Sequence, residues 1–277
     1  MNRLFTIFCM VSLMVFHTSC NDSVMDLESP NVEIKTRAVD QRVQNLIQQA
    51  RQGDVEAYNS LALCYRDGDG VEKSWLNMLC MYAIYCQKIG GDIEDVIELF
   101  EEGNPFRLIF ETVEMPYSDA EIEAKIGQLR LSAPAEAKAV EAARNAFSLE
   151  DATSALNIIR EAEAEGSELA VMFQAAYYDQ ATDKTGQEEY LTRIAEKYPF
   201  FNQLLGDLYA KQYGDSDDFS YIKKAIECYY KADAYGMLLP KYANTLWGMY
   251  NYFGPKGLIE YDEQEVERLQ ILAKRKY

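Results

Sequence analysis

From Gly53 onward, small and apolar residues recur at helical intervals: Ala57, Leu61, Ala62 and Tyr65, closing on Gly68, Gly70 and Val71. Leu61 and Tyr65 are four apart and share one helical face, while Ala57 and Ala62 are small enough to admit a close neighbour. Gly68 and Gly70 end that helix and give the backbone freedom for a tight turn. A second helix is predicted over about Ser74 to Lys88, with Met78, Met81, Tyr82, Tyr85 and Cys86 on one stripe and a stop near Gly90 and Gly91.

The pattern returns in weaker form. Ala155, Ile158, Ile159, Ala162 and Gly166 have the spacing of a second helix, and Gly166, Ala170, Ala175 and Tyr178 repeat the offsets of Gly53, Ala57, Ala62 and Tyr65. Leu205, Gly206 and Tyr209 match a first helix, and Ala225, Cys228, Tyr229, Ala232 and Gly236 a second. Leu246, Trp247, Tyr250, Gly254 and Gly257 form a stretched fourth unit, which Val266, Leu269 and Ala273 can close as a capping helix. The run Gly-x3-Ala-x3-Leu-Ala-x2-Tyr-x2-Gly-x-Gly-Val at Gly53–Val71 resembles the first helix and turn of a Sel-one-like repeat, a short relative of the tetratricopeptide repeat. That resemblance implies an all-α fold, an α-solenoid of antiparallel helix pairs, and a role in holding partners.

Tyr65 and Tyr178 are 113 residues apart, close to three periods of about 36–40. The segment 91–154 is therefore expected to hold degenerate helix pairs between the best repeat, 53–90, and further repeats over 155–277. Its turn signals agree: Gly103-Asn104-Pro105, Met115-Pro116 before Ser118-Asp119, and Ser132-Ala133-Pro134. Ala135 to Phe147 is alanine-rich and helical by propensity. No alternating, hairpin-bounded run predicts a strand.

The start of the chain follows another plan. Asn2 and Arg3 precede an apolar run from Leu4 to Phe16, then His17-Thr18-Ser19-Cys20. About thirteen apolar residues are short for a membrane span and read as a secretory signal. Small residues before Cys20, with Asn21-Asp22-Ser23 after it, resemble a bacterial lipoprotein signal. The resemblance implies cleavage before Cys20 and its lipidation. His17 replaces the usual leucine, as in the looser signals of Bacteroidetes. Residues 1–19 are then the signal, 20–38 a lipidated N-terminus and flexible tether, and 39–277 the helical-repeat domain. Several acyl chains, at about 0.8 kcal/mol per buried CH2, anchor such a protein firmly. Asn21 is not the inner-membrane retention residue Asp, so an outer-membrane location is expected.

Composition narrows the chemistry. The single histidine, His17, lies in the expected signal, which removes histidine bases, histidine-activated nucleophiles and almost every zinc site from the mature chain. No Cys-x2-Cys pair occurs among Cys64, Cys80, Cys86 and Cys228; their apolar helix positions favour buried free thiols, with Cys64–Cys80 and Cys64–Cys86 as the disulfide alternatives across one helix pair. The acidic turns at Asp67-Gly68-Asp69-Gly70 and Asp215-Ser216-Asp217-Asp218 lack the glycine and glutamate positions of a calcium loop. No phosphate-binding glycine loop appears. Without the signal the chain has 26 Lys+Arg against 45 Asp+Glu, a net charge of −19 that disfavours nucleic acid. Carboxylates alone could hydrolyse glycosides, but nothing selects a pair. The expectation is a non-enzyme with no cofactor and no metal site.

Aligning Leu61-Ala62-x2-Tyr65 with the tetratricopeptide core implies a groove lined by Asn59 and Arg66 in the first unit. Asp179 follows in the second, Gln203 and Asp207 in the third, and Asn244 and Asn251 in the fourth, with Leu63, Met172 and Ala176 interspersed. Polar groups at regular intervals suit an extended peptide of a cell-envelope protein, and Arg66, the one cation of the row, is the expected hot spot. The alternative is a surface glycan-binding lipoprotein with a role similar to SusD-like proteins. Exposed aromatic platforms would favour it, whereas Trp75 and Trp247 sit beside core positions.

Overall fold

The computed structural model describes residues 39–90, 100, 103–114, 118–146, 152–180, 184–216, 218–256 and 261–274. The expected signal, Cys20 and the tether lie outside these residues, as do Gly91, Met115-Pro116, Phe147, Asp217 and Gly257. All regular structure among the described residues is helical: thirteen α-helices and one 3-10 turn. The fold class is all-α. Two compact units are present, one within 94–187 and one joining 18–93 to 188–277.

The discontinuous unit begins with α1 (Gln41–Arg51), α2 (Val55–Asp67) and α3 (Trp75–Ile89). Their boundaries follow from capping. Asp40, Asp54 and Ser74 accept the backbone N–H of Val43, Glu56 and Asn77, interactions that each contribute about 1 kcal/mol. Gly68 and Gly90 end α2 and α3 with φ of 72° and 71°, left-handed values that glycine adopts without a Cβ penalty. Ala57, Leu61, Ala62 and Tyr65 are all buried, so the spacing in the sequence marks the inner face of α2. Tyr58 is buried beside them, and its hydroxyl donates to the Ala50 carbonyl at 2.7 Å.

The same unit continues with α9 (Lys184–Ala195), which starts at the end of the other unit, then α10 (Phe201–Ser216), α11 (Ser220–Asp233), α12 (Pro240–Phe253) and α13 (Glu263–Ala273). Within this unit the sequence-adjacent pairs α10–α11, α2–α3 and α12–α13 make the most extensive contacts. In α10–α11 the helices meet at Gly206, where even a methyl group would stand 2.7 Å from the Tyr229 ring. Val266, Leu269 and Leu272 are the buried side chains of the final helix; Ala273, expected in that role, is half-buried.

The first helices of this unit pack on the last. Asp233, at the end of α11 and 1% exposed, accepts from Arg51 Nε at 3.1 Å and from Arg268 Nη1 and Nη2 at 3.1 and 2.9 Å. Arg268 also binds the Glu265 carboxylate and donates to the Arg51 carbonyl at 2.9 Å. Two cations and two anions thus neutralise one another where α1, α11 and α13 converge. Burial alone would depress the Arg268 pKa; hydrogen bonds and charge from Glu265 and Asp233 outweigh it and hold the group above the ordinary arginine value. Lys88, buried at the end of α3, donates to the carbonyls of Ile271, Leu272 and Lys274 and so caps the C-terminal end of α13. Burial pulls its pKa down to about 8. A strictly linear array, in which each repeat touches only its sequence neighbours, does not make these contacts.

The other unit contains α4 (Pro105–Glu114), α5 (Asp119–Ser132), α6 (Pro134–Ala146), α7 (Ala152–Ala164) and α8 (Glu168–Gln180). Asn104 caps α4 by accepting from Phe106 N–H, Ser118 and Glu121 form a reciprocal capping box at α5, and Ala133-Pro134 separates α5 from α6. These were the turn signals legible in the sequence. Glu136 of α6 accepts from the backbone N–H of Glu168 and Leu169 and from the Ser167 hydroxyl, completing the start of α8. Residues 169–176 are buried on every side, as befits a helix with little polar face.

Candidate interaction surface

The residues expected to line one groove have different fates. Asn59 is half-buried on α2 and makes no hydrogen bond among the described residues. Arg66 is also half-buried, but its Nε and Nη2 grip both oxygens of Asp67 at 2.7 and 2.9 Å. Its charge is therefore matched by its own sequence neighbour, which removes the reason for singling it out as an uncompensated cation.

Gln203 is fully buried, not groove-lining. Its side-chain oxygen accepts the Leu239 N–H at 2.9 Å, satisfying the backbone just before a helix that starts with Pro240. The outward positions of α10 are instead Leu204, Asp207 and Lys211, and Asp207 pairs with Lys211 at 2.9 Å. A register error of one residue rotates a helical position by about 100°, enough to move a carboxamide from surface to core. Met172 and Ala176 of α8 are likewise buried. The side chain of Asp179 lies outside the described residues, and α8 belongs to the other compact unit. The expected row is thus interrupted at Gln203, whose side chain lies in the core.

Asn244 and Asn251 do share an exposed face. They lie seven residues apart on α12, with half-buried Gly248 between them. Nothing stands within 4 Å of where a Gly248 Cβ would be, so the surface between the two carboxamides is open. Helical periodicity places Trp247 on one flank of this stripe and Tyr252 on the other. Trp247 is half-buried and Tyr252 is 49% exposed. Asn244 makes no hydrogen bond among the described residues, whereas Asn251 Nδ2 donates to the Trp247 carbonyl at 2.9 Å. From Asn244 to Tyr252 the helix carries no formal charge, in a chain whose net charge is −18. Lys241, one turn before Asn244 on the same side of the helix, lies 4.4 Å over the Tyr242 ring.

The acidic turns already have structural roles. Asp69 pairs with Arg42, Asp67 with Arg66, and Asp218 accepts the Ser220 N–H at the start of α11. All four described cysteines are free and buried, so the disulfide alternatives do not form here. Burial pushes the Cys228 thiol up to about 12 and raises that of Cys64, even with Arg42 Nη2 3.6 Å from the Cys64 sulfur. Protonated buried thiols are poor nucleophiles and act as packing groups. No family model, curated protein or solved structure matches this chain.

Proposed function

We propose that this protein is a lipid-anchored scaffold of the cell envelope that holds a protein or peptide on a helical-repeat surface. The observation that carries the reading is the stretch Asn244–Tyr252 of α12, which holds no formal charge and where two exposed carboxamides are flanked by two aromatic side chains. Carboxamides donate and accept, so they can bind the backbone of a partner without selecting charge. The helix pairs α2–α3, α10–α11 and α12–α13 support a Sel-one-like stack, arranged so that its first and last pairs adjoin. Cys20, through lipidation, would hold the assembly at the outer membrane.

Two experiments test the two halves. Capture of the partner from detergent-solubilised native membranes should weaken about tenfold, or 1.4 kcal/mol, when Asn244 and Asn251 are both changed to Ala. Undiminished capture by that variant sinks the assignment of the surface. Separately, Cys20→Ser should shift the protein from the membrane fraction to the soluble fraction, and unchanged membrane association sinks the anchor. A glycan-binding role is the rival reading, favoured by the exposure of Tyr252 and Tyr261 in this unit.

A further inference from the structure

We propose that helix α13 is a strap that opens ahead of the rest of its unit, and that its closing is coupled to the loss of a proton from Lys88. The apolar grip on this helix is slight. Val266, Leu269 and Leu272 are its buried side chains, whereas Ile271 is 43% exposed. Helices with few buried apolar contacts open locally at the lowest cost. The remainder of the seat is polar and lies at the ends of other helices. Arg268 reaches the Arg51 carbonyl and the Asp233 carboxylate. Ile271 lies so close to the turn after α1 that a Cβ on Gly53 would stand 2.8 Å from its Cγ2. Lys88, at the end of α3, donates to the carbonyls of Ile271, Leu272 and Lys274.

Charge is compensated everywhere in this seat except at Lys88. Arg268 meets Glu265 and Asp233, and Asp233 also meets Arg51. Lys88 is 4% exposed, and its three partners are neutral carbonyls. The ionisable groups on the elements that meet there are Glu265, Arg268 and Lys274 of α13, Asp233 of α11, Arg51 of α1, Asp54 before α2, and Tyr85 on its own helix. None of them governs the Lys88 proton. Burial does, and it pulls the pKa down to about 8 from the 10.5 of an exposed lysine. An ammonium has three donors for the three carbonyls, so the charged form fits, but its lost hydration is not repaid by a carboxylate. A neutral amine serves two carbonyls, and Lys274 is exposed, so water can serve its own. Opening returns Lys88 to water and to its ordinary pKa. Closing therefore releases a proton between about pH 8 and pH 10.5, and rising pH closes the strap about tenfold per unit in that window. Below it Lys88 is protonated in both states, and pH has no leverage.

The test exposes the full chain to proteinase K between about pH 7 and pH 10, and mass spectrometry follows cuts inside α13. Each rate is divided by that of a free peptide spanning Glu263–Ala273, which leaves the open fraction of the strap. That fraction should be level below about pH 8 and fall about 100-fold by about pH 10. In Lys88→Met and Lys88→Arg, which do not titrate in this range, it should be level throughout. A level profile in the unaltered chain overturns the proposal, as does an open fraction that grows with pH, or a slope that survives in either variant. Cleavage of α10 and α11 at the same rate as α13 also overturns it, because opening is then global. Should the variants fail to fold, nuclear magnetic resonance titration of the Lys88 side chain in the unaltered chain decides: a midpoint near 8 supports the coupling, and one above about 10 removes it.

Discussion

Arg268→Ala should destabilise the discontinuous unit by about 3–5 kcal/mol, the loss expected when one partner of a buried ion pair is removed. Asp233, 1% exposed in the intact cluster, would keep only Arg51 to offset its charge. Glu265 would lose its guanidinium partner, and the α1 carbonyl at Arg51 would lose its donor. Denaturant unfolding monitored by circular dichroism measures the effect. The double variant Arg268→Ala/Asp233→Asn should recover part of the loss, because it removes the stranded carboxylate as well as the cation. A loss below about 1 kcal/mol would show that the cluster behaves like a solvated surface pair and does not close the unit.

Gly206→Val should cost about 3 kcal/mol, the upper end of the range for an overpacked core. The first added carbon already meets the Tyr229 ring at 2.7 Å and the Ala225 carbonyl oxygen at 3.1 Å. Tyr229 cannot retreat easily, since it is fully buried and stacked on Tyr242 at a centroid distance of 5.6 Å. Gly127, in the middle of α5, supplies the control. Nothing lies within 4 Å of its missing Cβ, so Gly127→Ala should gain about 0.5–1 kcal/mol from helix propensity alone. Thermal unfolding of the two variants should therefore move in opposite directions. If Gly206→Val is neutral, the α10–α11 contact is looser than the structure has it.

The elements that were legible in the sequence are those whose information is local. The helix start at Ser74, the stops at Gly68 and Gly90, and the spacing of small and apolar residues along α2 depend on neighbours within a few positions. Even α1 has a helical stripe in Val43, Ile47 and Ala50, but its other residues are so polar that the stripe is easily passed over. The ion cluster had no such signature. Asp233 finds Arg51 at a separation of 182 residues, and no spacing rule connects them. Surface assignments failed for a related reason: a glutamine that satisfies a buried N–H, as Gln203 does, has the same composition as one that faces water. On α12, by contrast, glycine and two asparagines at i, i+4 and i+7 leave one side with nothing apolar to bury, and both asparagines are exposed.

The meeting of the first and last helices also constrains the order in which the chain can fold. As synthesis proceeds from the N-terminus, α1–α3 appear early, yet Arg51 and Lys88 acquire their partners only when α11 and α13 have emerged. Until then the apolar side chains of α3 lack part of their cover, and the intervening helices of 94–187 can assemble first. Such non-local closure slows folding, because the entropy of the long loop is lost before the final contacts form. The early helices thus wait longest for their full cover, and stay accessible to proteases until the last helices arrive.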